Sequence, residues 1–439
     1  MAEASAFTHA TIVTGDAHGT VLPDRTVTVG ADGLIRSVEP SAGERPAWGA
    51  RVVDLTGKYL VPGLINAHAH LFSDGKPLPV ALTSKSAERA VTTFFHSPVG
   101  AAMLRRRTRA NVQTQLFSGV TTLRSVGDVR YEVVAVRDRI EAGRMPGPRV
   151  LASGPLLAAT GGHGAPLIAL VSDDPWGARR NVRLNLRKGV NAIKISATGG
   201  VTDARAVGEA GRPQLTEDEM AAICEEAHNA GIVVAAHAQS VEGAKRALRA
   251  GVDTIEHGCE LDDELIRLFH DNPRALRGWS ALVPTFLPAL PLVKLEQSAT
   301  GVDDVVRANA EIVVERMIGG VQDAVANRIR IGFGSDSGLT YATHYDTWRE
   351  LDLVTRYGGL TPAQALHAAT AANAEILGID DVTGAIEPGK AADLVVLPAN
   401  PLDGFRAFTG LEFVVARGQI FEDPAVTRFD EIDRELDSF

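Results

Sequence analysis

Short alternations of apolar and polar residues open the chain. Residues 9–14, 26–30, 34–39 and 51–54 carry them, with Gly, Asp and Pro between, and this pattern predicts short β-strands. The same signature returns at 384–387, 392–397 and 413–417. Residues 1–60 and 382–425 are therefore expected to form one small β-sandwich from both chain ends. Between them, continuous apolar runs of strand length alternate with stretches of helical period, which is the pattern of parallel βα units. The runs fall at 60–70, 120–126, 149–153, 192–196, 233–237, 254–257, 281–285 and 329–336. Eight of them predict an α/β fold, a (β/α)8 TIM barrel over residues 61–381, with 426–439 left as a C-terminal tail. Helices are expected at 102–118, 216–230, 241–250 and 361–377, and Thr216 and Thr361 suit the N-caps of two of these.

Composition narrows the partners. With 45% hydrophobic and 22% charged residues, the 439-residue chain reads as globular, and its net charge of -10 offers no basic stripe for a phosphate backbone. No nucleic acid partner is expected. No apolar run is long enough to span a bilayer and no signal-peptide pattern opens the chain, so a cytoplasmic protein without a membrane partner is expected. Cys224 and Cys259 are too few for a disulfide framework and read as buried thiols in a reducing compartment.

Ionisable residues collect at the ends of the predicted strands. His68 and His70, two apart, share one face of the first strand, and His237, His257 and Asp336 end three others. Lys194 lies between Ile193 and Ile195, where an unpaired ammonium is costly. Each has a structural alternative on its own: a satisfied core histidine, or a helix-capping aspartate. A barrel, however, turns the C-terminal ends of all its strands to one mouth. Together these residue types point to zinc or a similar divalent ion.

Several runs then carry a family resemblance. They are 61–70 (VPGLINAHAH), 119–124 (GVTTLR), 161–164 (GGHG), 197–200 (ATGG) after Lys194, 255–258 (IEHG), 334–336 (GSD) and 387–393 (EPGKAAD). The chain resembles the amidohydrolase superfamily, and is most similar to its imidazolonepropionase-like and Xaa-Pro dipeptidase-like (Zn-dependent carboxypeptidase-like) branch. The resemblance implies two Zn2+ ions bridged by N-carboxylated Lys194. His68, His70 and Asp336 would hold the first ion and His237 and His257 the second. Asp336 would move the proton from the attacking water to the leaving amine.

It also implies that His163 touches the substrate and takes part in catalysis. His344, Arg124 and Tyr341 become candidate substrate contacts. Three positions depart from the pattern: Asn66 and Ser125 where Asp is frequent, and Gln239 where Tyr or His is common. The expected activity is hydrolysis of a small-molecule amide: an N-acyl amino acid, a dipeptide, or a related carbamoyl or anilide compound. A cyclic-amide hydrolase, a deaminase and a non-catalytic barrel scaffold are the alternatives. Similar proteins commonly form homo-oligomers, although no interface is readable here. Residues 94–96 and 77–79 are candidates for an apolar wall at the mouth.

Overall fold

The computed structural model describes residues 3–43, 49–77 and 85–439. Five strands come first: β1 (Ser5–Val13), β2 (Val21–Val29), β3 (Ile35–Pro40), β4 (Arg51–Asp54) and β5 (Tyr59–Pro62). Nine follow: β6 (Leu64–Ala69), β7 (Val120–Ser125), β8 (Arg149–Leu151), β9 (Leu156–Ala158), β10 (Ala169–Val171), β11 (Ala192–Ser196), β12 (Val233–Ala238), β13 (Thr254–His257) and β14 (Ala281–Val283). Last come β15 (Leu394–Leu397), β16 (Phe413–Ala416) and β17 (Gln419–Glu422).

Strands from both chain ends lie in one mixed, hydrogen-bonded sheet of eight, in the order β17-β16-β15-β5-β1-β2-β3 with β4 beside β1. β1 pairs in parallel with β4 through Ser5–Thr8 and with β5 through Thr11 and Ile12, while β5 pairs antiparallel with β15. Phe7, Ile12, Val27, Ile35, Leu60, Leu394 and Val396 form its buried core.

The other strands form parallel ladders, β6-β7-β8 and β10-β9-β11-β12-β13-β14, so the architecture is α/β with parallel sheets. Backbone bonds pass between the ladders. Asn191 and Ala192 donate to the Ala152 carbonyl at 2.7 and 3.3 Å, and segment 330–337 bonds β14 at Leu282 on one side and β6 at Ala67 and His70 on the other.

Two expected strands come out differently. The run 60–70 is two strands, because at Gly63 the chain leaves the mixed sheet for the parallel one. A Cβ on Gly63 would sit 2.1 Å from Thr121 Oγ1, so only glycine passes there. The run 329–336 forms an isolated bridge at Ile331, with no extended strand. There the Asn373 side chain stands in for a ladder, donating to the Phe333 and Ile65 carbonyls at 2.7 Å each and accepting from Phe333 N–H at 3.1 Å.

Helices follow their caps. Thr216 and Thr361 each close a capping box, with Glu219 and Gln364, at the starts of Glu217–Asn229 and Pro362–His367. The helix expected over 361–377 is interrupted by a π turn at Ala368–Ala372, just before Asn373. The tail contains a helix, Asp430–Leu436, whose Ile432 and Leu436 are buried. Among the described residues, no helix is long and apolar enough to cross a membrane.

Candidate metal centre

His68 near the end of β6 and His70 just beyond it come together, and segment 330–337 brings Asp336 to them. Asp336 Oδ1 lies 3.3 Å from His68 Nε2 and 3.2 Å from His70 Nε2. The His257 ring, from β13, stands 5.0 Å from that of His68 and 4.5 Å from that of His237, from β12. Donor atoms of His68, His257 and Asp336 lie within 4.8 Å of one another, so this trio draws on both of the ligand sets expected from the sequence. Lys194, at the middle of β11, is buried with them.

Alternation along β13 points Thr254 and Glu256 to one face and would send His257 to the other. The left-handed backbone at His257 (φ +69°) ends the strand and lets Glu256 and His257 both meet His68. Asp336 is also left-handed (φ +49°), with its N–H donating to the His68 carbonyl at 2.8 Å. Strain of this kind is kept where a site demands it.

Burial sets the charge states. It drives the His70, His237 and His257 imidazoles down from their ordinary value, for His237 with help from His163 and His257, so they stay neutral as metal ligands require. Burial alone would raise Asp336, but His68 and His70 beside it hold the carboxyl well below its usual range. Lys194 is lowered by burial to about 8, against the pull of Glu256 and Asp336. Neither Lys194 Nζ nor Asp336 Oδ1 has a hydrogen-bond partner among the described residues. Neutral imidazoles, a carboxylate and two orphaned buried atoms at one spot form a donor set that fits a divalent cation.

Each imidazole is oriented by its other nitrogen. His68 Nδ1 meets Glu256 Oε2 at 2.6 Å, His70 Nδ1 donates to the Gly127 carbonyl at 3.3 Å, His257 Nδ1 pairs with Thr285 Oγ1 at 2.7 Å and His237 Nε2 donates to the Gly199 carbonyl at 3.1 Å. Sequence reasoning passes over Glu256. Its carboxylate also accepts from Arg124 Nη2 at 2.7 Å and Thr254 Oγ1 at 2.5 Å. Burial would raise it, but Arg124 and His68 hold it far below the ordinary range. A signal exists: an acid and an arginine, each inside a wholly buried strand, must find each other.

Arg124 is correspondingly not at a substrate. It is fully buried, and its guanidinium donates to the Ala67 carbonyl, Thr254 and Glu256. His344 also has both nitrogens engaged, Nε2 donating to the Ser73 carbonyl at 2.7 Å and Nδ1 accepting from Gln115 at 3.2 Å. Tyr341 donates its hydroxyl to the Ala299 carbonyl at 2.8 Å. Burial and these bonds tie the three side chains to neighbouring strands and loops. His163 is placed otherwise. Its ring stacks on His237 at 4.1 Å, one edge bonds Asp203, and it keeps partial solvent access.

Asn66, one of the three departures from the pattern, uses both ends of its amide. It accepts from His68 and Ser335 N–H and donates to Ser335 Oγ and Gln115, which a carboxylate could not do. Ser125 Oγ accepts from Ser153 N–H. Gln239 is buried with its Oε1 unpartnered among the described residues. Phe95 packs with Leu104, Leu156 and Ile168 while Phe94 is exposed; residues 78 and 79 of the other expected wall lie outside the described residues.

Comparison with known proteins agrees with this chemistry. The amidohydrolase family model matches residues 59–420. A solved structure from Bifidobacterium longum, provisionally assigned as a prolidase, is 49% identical over 100% of this chain and 99% of its own, with a TM-score of 0.89. A solved Xaa-Pro dipeptidase with methionine bound in its active site is 26% identical over 95% of this chain and 100% of its own, with a TM-score of 0.82. Ochratoxinase of Aspergillus niger is 27% identical over 345 residues, 72% of this chain and 68% of that one. The chain belongs to the amidohydrolase family and is a hydrolase acting on carbon–nitrogen bonds.

Proposed function

We propose that this amidohydrolase cleaves an amide-type C–N bond in a small molecule, an N-acyl amino acid, a dipeptide or a related carbamoyl or anilide compound. It would do so on a closed (β/α)8 barrel with two Zn2+ ions, the composite sheet forming the accompanying sandwich. Relatives named for prolidase, Xaa-Pro dipeptidase and ochratoxinase activity support amides as the substrate class. The hydrogen bonds that join the two parallel ladders support a closed barrel. Buried, unpaired Cys224 and Cys259 suit a reducing, cytoplasmic setting.

The observation that carries the reading is Lys194: a buried Nζ with no partner among the described residues, lowered to about 8, beside an orphaned carboxylate oxygen. Its neutral amine can add carbon dioxide, forming an N–C bond and releasing one proton, which turns an unpaired buried amine into an anion with two ligand oxygens. His68, His70 and Asp336 would hold one ion, His237 and His257 the other, with Lys194 between them. When bound, the ions polarise the scissile carbonyl and acidify a water molecule. Asp336 would be the residue that takes a proton from water and delivers it to the leaving nitrogen. His163, whose ring stacks on His237, would meet the substrate. The position of Gln239 supports a substrate choice different from that of relatives with Tyr or His there.

The test is zinc per chain by plasma mass spectrometry, together with hydrolysis of an N-acyl amino acid and dipeptide panel, for the wild type and Lys194→Ala. Near two ions per chain, falling with turnover on substitution, is expected. Protein that stays inert after zinc and bicarbonate are supplied would sink the reading in favour of a scaffold.

A further inference from the structure

The ring of His163 stands against His237 of the cluster, yet the bonds to Gln214 and Ser196 fix only its backbone. His163 N–H donates to Gln214 Oε1 at 2.8 Å, and its carbonyl accepts from Ser196 Oγ at 3.1 Å. The ring is held by two other things: the face of His237 and the carboxylate of Asp203, which meets Nδ1. Asp203 comes from the segment after β11, the Lys194 strand. Gly200, in the same segment, lies against the ring so closely that a Cβ there would sit 2.4 Å from Nδ1.

That segment has its own anchor. Asn309, buried on the helix Asp304–Ala326, accepts from Gly208 and Ala210 N–H at 3.0 and 3.1 Å and donates to the Ala206 carbonyl at 3.0 Å. Glu209 ties Arg205 and Ala206 N–H within the turn. A side-chain amide that satisfies three backbone groups is a costly device for an idle surface loop.

We propose that Asp203 is a positioning residue for catalysis: it accepts a hydrogen bond from His163 Nδ1–H and so presents Nε2 to the substrate over the metal ligands. Gly200 stays small to seat the ring, and Asn309 sets the segment. The kinetic part of this inference rests on the proposed amide hydrolysis; the placement of the ring does not. The competing view is that His163–Asp203 is an ordinary half-exposed ion pair, which would contribute little to stability and nothing to turnover.

The test uses the zinc-loaded full chain with Asp203→Ala, Asp203→Asn, His163→Ala and the Asp203→Ala/His163→Ala double variant. Asp203→Ala should lower kcat/KM about 10-fold on the panel amide turned over fastest, with zinc content and thermal midpoint unchanged. Asp203→Asn, which still accepts from Nδ1, should restore most of that loss. In the His163→Ala background, Asp203→Ala should change kcat/KM by less than about 2-fold. Separately, 15N spectra of histidine-labelled protein without metal or substrate should show His163 protonated at Nδ1 in wild type and Asp203→Asn, shifting to Nε2 in Asp203→Ala. Additive losses in the double variant, or an unchanged tautomer in Asp203→Ala, would overturn the proposal. Were no panel amide turned over, the hydrolase reading would fail while the 15N spectra still decided the role of Asp203.

Discussion

In the composite sheet, Phe7, Val27, Leu60 and Leu394 lie against one another as apolar surface removed from water. Where β6, β11, β12, β13 and segment 330–337 meet, the buried groups are instead imidazoles, an amine and carboxylates, with orphaned atoms on Lys194 and Asp336. Burial alone stabilises the first region. In the second it imposes desolvation that only hydrogen-bonded partners or a bound cation can offset. The sheet therefore contributes stability without chemistry, and the ionisable cluster holds chemistry at the expense of stability. A perturbation should strike one property and leave the other nearly alone.

The largest expected effect separates them most sharply. Lys194→Met should lower turnover by about 10^4-fold and remove zinc, yet leave the metal-free protein as stable as before or more so, because an unpaired buried amine is replaced by an apolar chain of similar length. Thermal melts of both apo proteins check this; a clear loss of stability would show that Lys194 holds the fold. Phe7→Ala should do the reverse. Truncating this fully buried ring should cost about 3–5 kcal/mol in urea unfolding while the folded fraction keeps its kcat.

Acid should find the same divide. The sheet's His9 is exposed on the surface and paired with Asp24, whereas His344 is buried and lowered to about 4. Burial is the main cause, and the unfolded chain takes up the proton near 6.5. The stability of the neutral ring is thus fully present above about pH 6.5 and is lost as pH falls towards 4, by up to about 3 kcal/mol. His344→Gln can keep both hydrogen bonds without a titrating group, so its unfolding free energy should fall less steeply over that window. Equal slopes for both proteins would place the acid sensitivity elsewhere.

The same divide governs what is legible in the sequence. Strands that alternate or run apolar, such as 192–196, 254–257 and 51–54, stand where the pattern places them, because burial wrote the pattern. The six residues expected as ligands stand out in the sequence because an ionisable group in or at the end of an apolar run is costly to bury unless a partner or an ion compensates it, and all six are buried. The broken strand at Gly63 is hidden, since two sheets bury one uninterrupted apolar run. The missing last strand is hidden too, because the amide of Asn373, 40 residues away, replaces its ladder. Arg124, His344 and Tyr341 pass for substrate contacts because sequence shows residue type but not direction. All three are spent on partners distant in the chain.

Glu256 carries the smallest of these effects and probes the comparison most finely, because it is buried like a sheet residue and works only through His68. Its carboxylate accepts from His68 Nδ1 and leaves Nε2, which faces Asp336, free to ligate. In Glu256→Gln the amide oxygen can keep the bonds from Arg124 and Thr254, but the amide nitrogen would then face His68 Nδ1 as a donor. His68 would have to move its proton to Nε2, the wrong tautomer for a ligand. Zinc affinity, measured by chelator competition, should fall about 10-fold, and kcat of the zinc-saturated protein much less. Equal affinities would mean that His68 does not bind through Nε2, and the buried Glu256–Arg124 pair would then belong with the sheet's residues as a purely structural element.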